Sequence, residues 1–331
     1  MTLDKTSRRV VRGLALATIA ALLASCGGTE LVAFVPTRVL SFGDESSVMT
    51  AESKKYTING VVPDSGVPGT IDCVLNPIWN QVLATSYAIS FPQCPGSVEG
   101  VAPTGRILAQ AGATAAGARD IDLAGQITRQ LATPVADGGG INSNDLVSLL
   151  IGVNDVVSIY ERYERSEITG AEATALAEQA GETVAAQISR ITDSGGRVII
   201  ATVPDVGVTP YARDKGLDAR ALLSALTARM NARLLVTIDN DGRKTGLIEL
   251  NPYLVSVVTN PAAYAYVNVS EAACLPAYPL PNCTAVTLKK GADDVPATPN
   301  TWLWANSLQF SAGAHLQLGN LASSRAHNQP F

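Results

Sequence analysis

Residues 38–49 read RVLSFGDESSVM. An apolar run ends in Phe42-Gly43-Asp44 and passes directly into Glu45-Ser46-Ser47, the pattern of a strand that delivers polar side chains to the start of a helix. A serine at such a turn suits nucleophilic acyl transfer, which needs a hydroxyl, an adjacent base and fixed N–H donors where the oxyanion develops. Glu45 stands directly after Gly43-Asp44, so the candidate hydroxyls are Ser46 and Ser47, one and two residues further on. In a first helical turn both also serve as caps. The base would have to come from a chain with two histidines, His315 and His327. His315 is expected on a helix that follows Ser311, and His327 lies close to the C-terminus. A carboxylate mechanism, with Glu45 activating water, is the third chemistry open to this turn, and no polarising group for it is evident.

Few other residues invite chemistry. Two histidines and no CxxC spacing leave no zinc set. The paired aspartates of DNDGRKTG (239–246) lack EF-hand spacing and read as a solvated turn, so neither metal nor cofactor is expected. Of five cysteines, Cys73, Cys94, Cys274 and Cys283 suit two disulfides in an oxidising compartment. Cys73–Cys94 and Cys274–Cys283 is the simplest of the possible connectivities.

The N-terminus has a basic start (Lys5, Arg8, Arg9, Arg12) and an apolar stretch from about Leu14 to Ala24, too short to span a bilayer, which reads as an export signal. Leu23-Ala24-Ser25-Cys26 resembles the lipobox of bacterial lipoproteins. That resemblance implies cleavage before Cys26, a lipid on it, and residence at the periplasmic face of the outer membrane or the cell surface. Removing residues 1–25 takes away four cations and one anion, moving the formal charge from −5 to −8. An acidic chain has no electrostatic footprint for nucleic acid. The expected layout is a signal over 1–25, a lipidated linker over 26–35 and a single domain over 36–331.

The elements that must position the turn are legible as apolar runs. RVLSFG (38–43), DLVSLLIG (145–152), RVIIATV (197–203) and TGLIEL (245–250) look like buried parallel strands, with GRILAQAG (105–112) as a fifth. Helical stretches separate them: an alanine-rich run over 170–196 that stops at Gly195-Gly196, and a second over 218–240. The alternation predicts an α/β fold with helices on both faces of the sheet. Residues 51–104 and 265–300 break the alternation, each carrying one cysteine pair, and are expected to be disulfide-stapled loop insertions.

In this order the segments resemble the GDSL or SGNH hydrolases, esterases and lipases built on a flavodoxin-like parallel sheet in a three-layer α/β/α sandwich. FGDESS is similar to the family's first block, LAQAGATAAG (108–117) to the second and LLIGVNDVV (149–157) to the third. ATVPDVGVTPYA and NPAAYAYVNV resemble stretches of lipase-like members, and LWANSLQFSAGAH (303–315) lies where the last block belongs. The likeness runs from about residue 36 to 325 and implies an acyl-ester substrate. It also implies an oxyanion hole built from the backbone N–H at the nucleophile position (residue 45), from a second-block glycine (Gly112, with Gly117 as the alternative) and from Asn154, which stands beside Asp155.

The same alignment implies a substituted triad. Glu45 stands at the nucleophile position, Asn306 at the aspartate and Gln309 at the histidine. Asparagine and glutamine keep the shape and hydrogen bonding of the residues they replace, but neither titrates near neutral pH. A carboxylate at residue 45 is expected to take the free N–H donors of a helix N-terminus, with Asn154 as a further donor, and so to fill its own anion hole. Whether the chain turns over esters is thus open. The alternative is a degenerate hydrolase retained as an outer-membrane lipoprotein that binds an acyl ester, another small molecule or a partner.

Overall fold

A computed structural model of the chain describes residues 33–62, 69–239, 242–291, 294–329 and 331. The expected export signal and Cys26 lie outside the described residues. Phe34–Phe331 gather into one compact unit. Among the described residues no helix is long and apolar enough to cross a membrane.

Five strands, β1 (Arg38–Gly43), β2 (Arg106–Ile107), β3 (Asp145–Leu150), β4 (Arg197–Ala201) and β5 (Thr245–Ile248), form a sheet of parallel pairs in the order β2-β1-β3-β4-β5. That is the flavodoxin-like order, whose switch point lies between β1 and β3. Arg38 sets the register of this central pair: it stands opposite Asp145, and its Nη2 donates to the Asp145 carboxylate at 2.8 Å. The fifth run contracts to the two residues of β2. Leu108 and Ala109 still donate to the Ser41 carbonyl and Gln110 to that of Gly43, but the chain then turns away at Gly112, whose φ of 75° is left-handed.

Eight helices are found among the described residues: α1 (Trp79–Thr85), α2 (Leu123–Ala132), α3 (Val153–Glu164), α4 (Gly170–Asp193), α5 (Pro210–Lys215), α6 (Leu217–Thr237), α7 (Leu250–Thr259) and α8 (Ala312–Asn328). The strand runs alternate between two cores. Leu40, Phe42, Val147, Leu149, Val198 and Ile200 face α2, α3, α4 and α6. Val39, Leu146, Leu150, Ile199, Ala201 and Ile248 face α1, α7 and α8. The result is a three-layer α/β/α sandwich with both faces of the sheet covered.

The two insertions are more than loops. Residues 51–104 contain α1, whose Trp79 and Leu83 join the second core. In the other, β6 (Asn268–Ala272) pairs with β7 (Trp302–Trp304). Asn59 joins the two: its Nδ2 donates to the carbonyls of Pro281 at 2.9 Å and Cys283 at 3.0 Å. Ile58, Ala273, Cys274, Cys283, Ala297, Trp302 and Ala305 form a small satellite core beneath them. Cys73–Cys94 and Cys274–Cys283 are both bonded. Stapling suits a cluster this small, which buries little apolar surface of its own.

Candidate active site

The site lies beyond the carboxyl ends of β1 and β3, at the switch point of the sheet. β1 reaches it through Gly43, whose φ is 134° and where a Cβ would stand 2.0 Å from the Leu150 carbonyl oxygen. Only glycine can occupy that place beside β3. Buried Gln126 of α2 then holds the Gly43 peptide groups at both ends: the Gly43 N–H donates to its Oε1 at 3.0 Å, and its Nε2 donates to the Gly43 carbonyl at 2.8 Å.

The expected helix after Gly43 is a single 3-10 turn, Glu45–Ser47, which Val48 ends in extended conformation. Asp44 takes two of the N–H donors that a helix N-terminus would have offered. Its Oδ1 accepts from the Ser46 N–H at 3.1 Å and its carbonyl from the Ser47 N–H at 3.0 Å. Asp44 is fully buried with Oδ2 unpartnered. Burial, then the neighbouring Glu45, pushes its carboxyl up to about 8, so it is largely protonated at neutral pH.

Glu45 finds its donors elsewhere. The Gly112 N–H donates to Oε1 at 2.6 Å and the Asn154 Nδ2 to Oε2 at 2.8 Å. One donor per carboxylate oxygen, both in the charge-assisted range, makes a paired cradle. Each donor is held independently of Glu45. Arg119 Nη2 donates to the Gly112 carbonyl at 2.7 Å and to Asp122 at 2.7 Å, and Asn154 Nδ2 also donates to the Ala113 carbonyl at 2.9 Å. Asp155 grips the same loop, accepting from the N–H groups of Ala115 at 2.7 Å and Ala116 at 3.0 Å, while burial raises its carboxyl to about 6. The Gly117 N–H goes to Thr114 Oγ1, so of the two second-block glycines Gly112 is the one that faces Glu45.

The last block arrives as a turn before α8. Asn306 Oδ1 accepts from the N–H groups of Leu308 at 2.9 Å and Gln309 at 2.6 Å. That turn presents Gln309, whose Oε1 accepts from Ser46 Oγ at 3.1 Å. Ser47 plays a different part: fully buried, it accepts from the Trp79 indole at 3.1 Å and ties the turn to α1.

His315 does not join them. It is fully buried on α8, edge-on to Phe310 with ring centroids 6.3 Å apart, and neither ring nitrogen has a hydrogen-bond partner. Burial, and then the Lys55 charge, pulls its pKa down to about 3. The Ser46/Ser47–His315 arrangement is therefore not assembled. His327 stacks on Tyr87 at the surface, with centroids 4.4 Å apart. No group of three or more His, Cys, Asp or Glu among the described residues could hold a metal ion.

Several residues at or around the site were invisible in the sequence. Gln126 sits one position before Ile127 on the buried face of α2, and a buried polar residue in an apolar stripe was the available signal. Arg119 and Asp122 gave no signal, because their role depends on the fold of the loop after β2. Lys55 is buried, its ammonium donating to the carbonyls of Cys73 (3.0 Å), Leu75 (2.7 Å) and Asn76 (2.8 Å), and burial pulls it down to about 7. Tyr56 lies half-buried close enough to Glu45 that burial and then that carboxylate raise its phenol.

A family model described as GDSL-like Lipase/Acylhydrolase matches residues 75–275, a span that holds Gly112 and Asn154 but neither Glu45 nor Gln309. No curated protein sequence matches the chain. Among solved structures it is similar to the crystal structure of the protein YxiM from Bacillus subtilis, with 16% identity and a TM-score of 0.36 over 88% of this chain and 56% of that one. It is also similar to the crystal structure of TesA, with 12% identity and a TM-score of 0.35 over 89% of this chain and 100% of that one. The chain thus spans little more than half the length of the first.

Proposed function

The chain belongs to the GDSL-like lipase/acylhydrolase family, and within it we propose a member whose acyl-ester site binds without turning over, carried on an exported lipoprotein. The observation that carries this reading is the Ser46 Oγ–Gln309 Oε1 bond at 3.1 Å. The hydroxyl meets a carboxamide where acyl transfer needs a base, and a carboxamide cannot accept the serine proton near neutral pH. Asn306 likewise caps a turn and orients no imidazole. Glu45, held in the cradle that would meet an oxyanion, opposes the developing negative charge. With base and oxyanion stabilisation both gone, the geometry favours binding over cleavage. Two disulfides suit an oxidising compartment, and the lipobox-like Cys26 supplies the anchor.

Purified protein is assayed with short-chain p-nitrophenyl esters and a serine-directed phosphonate. Neither turnover nor labelling is expected from the wild type, and Glu45→Ser/Asn306→Asp/Gln309→His is expected to gain both. Wild-type turnover that Ser46→Ala abolishes would overturn the reading. For the anchor, Cys26→Ala is expected to release the protein from the membrane fraction; release without any loss of a lipid mass from the N-terminal peptide counts against it.

A further inference from the structure

We propose that the Gly112 N–H and the Asn154 side-chain amide form a receptor for one monocarboxylate, with Glu45 as its tethered occupant. The wild-type chain is then self-liganded, and removing that side chain opens the site to a free short carboxylate R–COO⁻, the acid half of an acyl ester. The ligand class rests on the acyl-ester reading above; the occupancy rests on the geometry alone.

The cradle has the features of a receptor. It offers one donor to each carboxylate oxygen, at 2.6 and 2.8 Å, and Asp44 takes the N–H groups of Ser46 and Ser47 in the turn. Both donors are fixed by partners other than Glu45: Gly112 through the Arg119 contact to its carbonyl and Asn154 through the Ala113 carbonyl. The donors therefore stay in place when the side chain leaves. Gly112 is exposed and nothing lies within 4 Å of where its Cβ would stand, so the Gly112 side of the cradle is open to solvent.

The charges around it suit a single anion. Asp44 is largely protonated and enclosed at neutral pH, and Asp155 accepts from two N–H groups, those of Ala115 and Ala116. Arg119 donates to the Gly112 carbonyl at 2.7 Å. The Glu45 carboxylate is covalently tethered to the turn beside the cradle it occupies, so it faces the donors at an effective concentration of roughly millimolar or above, and a dilute free acid cannot displace it.

The test titrates the purified full chain, in mild detergent at pH 7, with sodium formate, acetate and butyrate, reading the Gly112 amide and the Asn154 side-chain amide by NMR. In Glu45→Gly both signals are expected to move with acetate, with a Kd at least about tenfold below that of the wild type. Adding Asn154→Ala is expected to erase the gain. Glu45→Gln, which keeps the side chain's size and loses its charge, is the second variant and is expected to gain by less. The proposal fails if the signals of both variants stay still, if the wild type responds equally, or if chloride moves them as acetate does. Ester turnover by the wild type would sink the non-hydrolytic reading and leave this result standing; a silent titration would do the reverse.

Discussion

Replacing His315 with methionine should reshape how stability responds to acid. The ring is fully buried and both nitrogens are unpartnered, so the folded state holds it neutral, its pKa pulled down from 6.5 to about 3 by burial and then by Lys55. The unfolded chain protonates near 6.5. Between these values the unfolded state binds one more proton, so stability falls as pH drops below 6.5. At pH 5 the gap is about 1.5 pH units at 1.36 kcal/mol each, or roughly 2 kcal/mol lost from the wild type relative to pH 7.5. Asp44 acts in the opposite sense. Its carboxyl is raised to about 8 by burial and Glu45, so the folded state binds the extra proton and stability rises as pH falls from there toward 3.8. The wild-type profile mixes both effects, and the difference between wild type and His315→Met isolates the histidine. Methionine fills a similar apolar volume, so near pH 7.5 the two should lie within about 1.5 kcal/mol. Urea unfolding at both pH values should then show the variant gaining about 2 kcal/mol on the wild type at pH 5. Parallel curves would mean that His315 takes a proton in the folded state. It would then have a partner, and the argument that it cannot serve as a base would fail.

Other perturbations probe the frame of the site. Gln126→Leu strips the Gly43 N–H of its partner and should cost about 2–3 kcal/mol in urea unfolding; a neutral result would show that the turn after β1 is held by something else. Gly43→Ala puts a methyl 2.0 Å from a backbone oxygen, so it should cost more than about 3 kcal/mol or prevent recovery of folded protein. The two disulfides close separations of 21 and 9 residues. Paired Cys→Ser variants should lose about 3 and about 2.5 kcal/mol respectively, and equal stability with and without reductant would contradict this.

Much of the fold was written in local pattern. Four Val-, Ile- and Leu-rich runs separated by helical stretches dictate a parallel sheet covered on both faces, because such runs can be buried only that way. The order of the blocks marked residues 45, 154, 306 and 309, and the chemistry of Glu, Asn and Gln already told against a working triad. The short turn after Gly43 was not legible, since whether Asp44 caps it or a helix continues depends on which N–H groups the side chain can reach. Nor was α1, whose seven residues are made helical by packing under α8. The cradle is the clearest case of what tertiary structure alone decided. Its donors lie 67 and 109 residues from Glu45, and no periodicity reports which of Gly112 or Gly117 turns its N–H inward. That choice rests on a left-handed φ at Gly112 and an arginine on its carbonyl. The fate of His315 was likewise undecided, because a helical histidine becomes a base or a blind core residue according to what the neighbouring elements place against it.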